Sequence, residues 1–200
     1  MTKYLYSNAL EEQRYGRNKQ TVIDSKYINS GAFRKKFNNI SSNQKLNRLL
    51  YKLSKQMLSH RSGTLYEDLY WIDLNSVKVI ASELTCESEE QISYSPKTIK
   101  AINTHHNLLT IHSHPNSFPP SISDLNSNYS NSYSIGIIAC HNGKIYMYSV
   151  SEPINETYYS MTVAEYLNQG YNENDSQLMA LNHIRENFNI KFKEVTGDDV

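Results

Sequence analysis

The chain has 200 residues, enough for one hydrophobic core with decorations and short of the length at which cores divide. With 20 basic and 20 acidic residues it has no net charge, so a polyanion finds no general attraction and nucleic acid is not expected as a partner. Cys86 and Cys140 make neither a CxxC pair nor a disulfide framework, and no stretch approaches the ~18 apolar residues of a membrane span; a cytoplasmic protein with reduced thiols, no signal peptide and no membrane segment is expected.

Residues 1–42 are rich in Asn, Lys, Arg and Ser with scattered aromatics and keep no period, and they read as an irregular polar arm. From Asn43 the leucines at 46, 49, 50 and 53 and Met57 recur at helical spacing, with Ser42 or Asn43 as the cap and Gly63 as the stop. The stretch LYEDLYWIDLNSVKVIAS then reads as two strands around a turn at Asp73-Leu74-Asn75-Ser76. Ser95-Pro96 opens a helix to about His106, with Ile99 and Ile102 on one face. Leu108 to Ile111 is a short buried strand that ends in His112 and His114. Three prolines then force a rigid loop, which runs into a short helix near Ser123. Tyr133–Ala139 and Lys144–Val150 flank Asn142-Gly143, a hairpin signal. Beyond Pro153 the pattern predicts helices over about 158–167 and 176–187, the second with Leu178, Leu181, Ile184 and Phe188 on one face, and a last strand over about 190–195. The sum is an α+β fold in three parts: the arm 1–42, a core 43–152 and a C-terminal helical extension 153–200.

The chemistry sits in Ile111 to Asp124, IHSHPNSFPPSISD. Alternate residues of a strand point the same way, so His112 and His114 face one point. Two neutral imidazoles and a carboxylate suit one Zn2+ per chain and leave a coordination position open to solvent, the pattern of a catalytic zinc site. Asp124 follows Ser123, a candidate cap, and so lies in the first turn of a helix, where the dipole favours its ionised form. The prolines at 115, 119 and 120 lower the entropy lost in bringing the aspartate to the histidines.

His112-Ser113-His114-Pro115 followed by Ser121-Ile122-Ser123-Asp124 resembles the JAMM (MPN+, JAB) metalloprotease motif, His-x-His-Pro then Ser-x-x-Asp. The order of elements over about residues 43–150 is similar too, in the manner of RadC-like proteins and of the JAB domains of phage and prophage proteins of Gram-positive bacteria. The loop departs from the family: five residues, Asn116 to Pro120, separate Pro from Ser where six are usual, which puts the placement of Ser121 in question. The resemblance implies a mixed β-sheet flanked by helices, of the JAMM and cytidine-deaminase-like kind, with His112, His114 and Asp124 as zinc ligands. It implies Glu67 as general acid and base, with Glu83 as the alternative and Asp68 turned to the other side, and Ser121 as a hydrogen-bond donor to the oxyanion. The activity implied is metallopeptidase hydrolysis of a peptide or isopeptide bond through Glu-assisted attack of zinc-bound water. Its partner would be a protein or peptide, such as a ubiquitin-like conjugate or a phage structural protein. Two alternatives remain: a catalytically silent JAB-fold assembly module, and a RadC-like DNA-associated protein.

The other candidates have plainer readings. His105 and His106 lie at a helix end, where imidazoles satisfy the dipole. His60 and Arg61 close the first helix, with Arg61 near enough to the motif to meet a substrate carboxylate. His141 belongs to the hairpin turn, and Cys140 reads as core.

Overall fold

The computed structural model describes residues 18–85 and 88–197; Cys86 and the first 17 residues of the expected arm lie outside them. The described residues form an α+β fold. Its elements, in order, are a 3-10 turn (Lys19–Thr21), α1 (Ser25–Ile28), α2 (Gly31–Lys35), α3 (Gln44–Arg61), β1 (Leu69–Asp73), β2 (Lys78–Glu83), α4 (Pro96–Asn103), β3 (Leu108–His114), α5 (Ile122–Ser130), β4 (Ile135–Cys140), β5 (Ile145–Val150), α6 (Glu156–Asn168), α7 (Glu173–Ile184) and β6 (Ile190–Glu194). No helix among them is long and apolar enough to cross a membrane.

The six strands make one mixed sheet in the order β2-β1-β3-β4-β5-β6. Only β3 and β4 are parallel, with His112 opposite Ile138 and His114 opposite Cys140. A parallel pair needs a crossover, and here the proline loop and α5 supply it. The carboxyl end of β3 and the amino end of α5 therefore meet at one edge of the crossover, a usual place for ligands in such sheets.

Strand alternation divides the core. Leu109, Ile111, Ile137 and Ala139 pack under Leu50, Leu53, Met57 and Leu58 of α3. Ile138, Cys140, Tyr146 and Tyr148 face the opposite side, under Leu125 of α5, Tyr159 of α6 and Leu181 and Ile184 of α7. A third cluster, Leu69, Trp71, Leu108 and Tyr133, gathers Tyr94 and Ile102 around α4.

The expected elements appear with several corrections. Residues 19–35 are not irregular. Asp24 and Ser30 cap two short helices by accepting backbone N–H groups, and Ile28, Phe33 and Phe37 are fully buried in the α3 cluster. Spaced aromatics in so short a segment show no period, so only contact with α3 reveals them as core. In α4 the buried position is Thr98 while Ile99 is exposed, and the helix stops at Asn103 rather than His106. β4 starts at Ile135, because Tyr133 turns aside and its hydroxyl accepts the Trp71 indole N–H at 2.9 Å. α7 covers Glu173–Ile184 and buries Ser176 and Ala180 beside Leu181 and Ile184. The Asn-Gly hairpin forms as expected, with Gly143 at φ 84°.

Candidate metal centre

Glu67 stands two residues before β1, whose Leu69 lies opposite His112 in the ladder. His112 and His114 occupy the same face of β3, and both are buried. Asp124 is the third residue of α5. The helix is capped by Ser121 and not by Ser123: the Ser121 hydroxyl oxygen accepts the Asp124 N–H, and the Asp124 carboxylate in return accepts the Ser121 N–H. Ser-x-x-Asp is itself a signal for this reciprocal capping box, since its acidic third position can reach back to the cap. The Ser121 hydroxyl also donates to Asp124 Oδ2 at 2.7 Å, so two bonds from one residue orient the carboxylate.

The four side chains converge. The Nε2 atoms of His112 and His114 are 3.0 Å apart. Asp124 Oδ1 is 3.2 Å from His112 Nε2, Asp124 Oδ2 is 3.3 Å from His114 Nε2, and Glu67 Oε1 is 3.9 Å from His114 Nε2. Glu67, His112 and His114 each offer a ligand atom within 4.8 Å of the others and could hold a metal ion. His114 Nδ1 donates to the Phe118 carbonyl at 3.0 Å, which assigns its proton to Nδ1 and leaves the Nε2 lone pair facing His112 and Asp124. Lone pairs and carboxylate oxygens aimed at one point need a cation or protons between them.

The electrostatics carry the same message. Burial opposes ionisation of Asp124, but the charge of His112 and hydrogen bonds from both imidazoles outweigh it and hold the carboxyl well below its ordinary range. Burial likewise opposes a charged His114, yet the neighbouring Glu67 and Asp124 raise it to about 9. Glu67 is pushed up, chiefly by its own burial and against the pull of the two histidines. A carboxyl group so raised can hold and release a proton nearer neutrality than an exposed one.

Comparison with family models, with curated proteins and with solved structures finds no match. The site therefore stands on its own geometry.

Glu83, the alternative base, is committed elsewhere, because its Oε1 accepts the Ser95 N–H at 2.8 Å and so anchors the cap of α4. Asp68 is turned away from the cluster and receives the Arg61 Nε–H at 2.6 Å and His60 Nδ1 at 2.7 Å. Arg61 is fully buried and also donates to the Leu84 carbonyl, so it is closed to any substrate. His105 caps α4 through the Ala101 carbonyl. His141 is more than a turn residue: it is buried, and its Nδ1 lies 2.6 Å from the Thr21 carbonyl. Cys140 is buried, and burial raises its thiol far above the ordinary range, which leaves it inert.

A cavity of about 560 Å³ opens beside the cluster. Pro115 and Phe118 line it, and Glu67, His112, His114 and Asp124 form one wall. Its inner residues include Asn128, which sequence reasoning passes over because a lone Asn in a short helix carries no signal.

Proposed function

We propose that this chain is a zinc-dependent metallopeptidase of the JAMM type that hydrolyses a peptide or isopeptide bond of a protein or peptide substrate. The observation that carries the reading is the convergence of two imidazole Nε2 atoms, the Asp124 carboxylate and the Glu67 carboxylate on one wall of a cavity. Two neutral imidazoles with one carboxylate are a donor set that fits zinc and leaves room for a further ligand. The succession helix, glutamate, hairpin, helix, motif strand, loop and capped helix supports the JAMM-like fold.

His112, His114 and Asp124 would hold a zinc ion, which would supply a Lewis acid and lower the pKa of water for use as a nucleophile. The chain's own groups do the rest. Phe118 and Ser121 orient the ligands His114 and Asp124 through the bonds described above. Glu67, held largely protonatable by burial, accepts a proton from the attacking water and returns it to the leaving amine. Ser121 lines the cavity, and its hydroxyl proton is given to Asp124 Oδ2, so it would donate to a developing oxyanion only after turning from that carboxylate.

The test pairs metal content with turnover. Purified protein is expected to carry close to one zinc per chain, lost in the His112→Ala, His114→Ala double variant. Glu67→Gln is expected to retain zinc and fold while hydrolysis of substrates in a lysate peptide profile drops about 10²–10⁴-fold. A chain that takes up no metal sinks the reading. Zinc bound without turnover in the wild-type chain leaves an assembly module instead.

A further inference from the structure

The cavity runs well past the metal cluster, and its inner end is built. Tyr148 lays its ring across Gly136, where a Cβ would overlap the ring; only glycine admits the tyrosine to this floor. The Tyr94 hydroxyl lies 3.4 Å from Ser127 Oγ, and both residues line the cavity. Asn128, also lining it, is only 1% exposed. Its Oδ1 accepts the Val150 N–H at 3.0 Å, which fixes the amide the right way round. The amide Nδ2 is then left buried with no hydrogen-bond partner among the described residues. A buried donor without a partner is costly, so its acceptor comes from outside the described residues, a water or a ligand.

Charge narrows the class. Among the described residues the cavity is lined by the carboxylates Glu67, Glu90, Asp124 and Glu173 and by no Lys or Arg. Away from the histidine wall a substrate carboxylate would meet Glu90 and Glu173 and no Lys or Arg. A carboxamide fits both requirements: its carbonyl accepts from Asn128 Nδ2, and its NH2 donates to the hydroxyl oxygens of Ser127 or Tyr94.

We infer that the inner cavity is a specificity subsite for a neutral carboxamide side chain, Gln or Asn, of the peptide whose bond is cut. The bond-cutting part rests on the hydrolase reading; the recognition part does not.

Binding separates the two. Zinc-loaded Glu67→Gln protein is titrated by fluorescence anisotropy with a positional-scanning peptide library, then with matched peptides differing only as Gln or Glu at the selected position. The Gln peptide is expected to bind at least about tenfold tighter, since a site built to donate rejects an analogue that cannot be satisfied. Adding Asn128→Asp, which keeps an acceptor for Val150 but removes the donor, is expected to abolish that ratio. Ser127→Ala, which leaves the Val150 bond intact, is expected to weaken the Gln peptide severalfold and serves if Asn128→Asp unfolds. Equal binding of Gln and Glu, a library with no binders, or discrimination that survives Ser127→Ala and a folded Asn128→Asp overturns the inference. Peptides bound with the Gln preference yet uncut by zinc-loaded wild-type protein sink the hydrolase reading alone. Peptides cut without preference sink the subsite alone.

Discussion

His114 holds its proton on Nδ1 for the Phe118 carbonyl and presents Nε2 to His112, Asp124 and Glu67. A metal ion and a proton therefore compete for the same nitrogen. With His114 raised from its ordinary 6.5 to about 9, its proton stabilises the metal-free fold fully below about 6.5, and that contribution is lost as pH rises through 9. Metal binding must displace this proton. Apparent zinc affinity is thus expected to climb up to about tenfold per pH unit between about 7 and 9 and then level, as read by competition with a chelator; an affinity flat over that range would show that His114 is already neutral. The convergence of His112, His114 and Asp124 is legible in the sequence because strand alternation and a proline-limited loop are local rules. The cap is not: the sequence points to Ser123 and the structure uses Ser121, because both serines precede the aspartate and only the hydrogen bonds distinguish them.

At the scale of elements, one crossed pair of bonds ties the residue after Glu67 to the strand that carries His112 and His114. The Asp68 N–H donates to Ser113 Oγ at 3.0 Å, and the Ser113 N–H donates to the Asp68 carbonyl at 3.1 Å. Ser113 lies between the two histidines, and Asp68 follows Glu67, so this link sets the height of the glutamate against the histidines. The Asp68 side chain, 1% exposed, is in turn clamped by Arg61, which is wholly buried. Asp68→Ala leaves an uncompensated buried guanidinium and is expected to cost about 3–5 kcal/mol in chemical denaturation. A loss below about 1 kcal/mol would mean that water reaches Arg61. The sequence marks Asp68 as turned away from the site and Arg61 as a helix end, but their pairing joins α3 to the start of β1, and no spacing rule links an arginine to an aspartate seven residues on across a loop.

The whole molecule depends on the segment before α3. Phe33 and Phe37 are buried against Tyr51, with ring centroids 6.1 and 5.7 Å from it. The segment also reaches the site's rear: Thr21 receives His141 Nδ1, Lys36 donates to the Gly143 carbonyl, and the His141 N–H donates to the His114 carbonyl. Phe33→Ala is expected to cost about 3–5 kcal/mol, and a chain begun at residue 43 to lose its cooperative melting transition; a truncated chain that melts as the full one does would return the segment to the irregular polar arm read from the sequence. By itself the sequence determined the α+β succession, the long helix, the hairpin at Asn142-Gly143 and the convergence of His112, His114 and Asp124, since each follows from periodicity, turn chemistry or covalent nearness. Only the tertiary structure decided that Ile23, Ile28, Phe33, Phe37 and Ile40 belong to the core, that Arg61 and Asp68 pair and that Asn128 lines the cavity with an unmet donor. Those facts are contacts between distant parts of the chain, and burial at such contacts is set by packing, to which a local pattern of residues is blind.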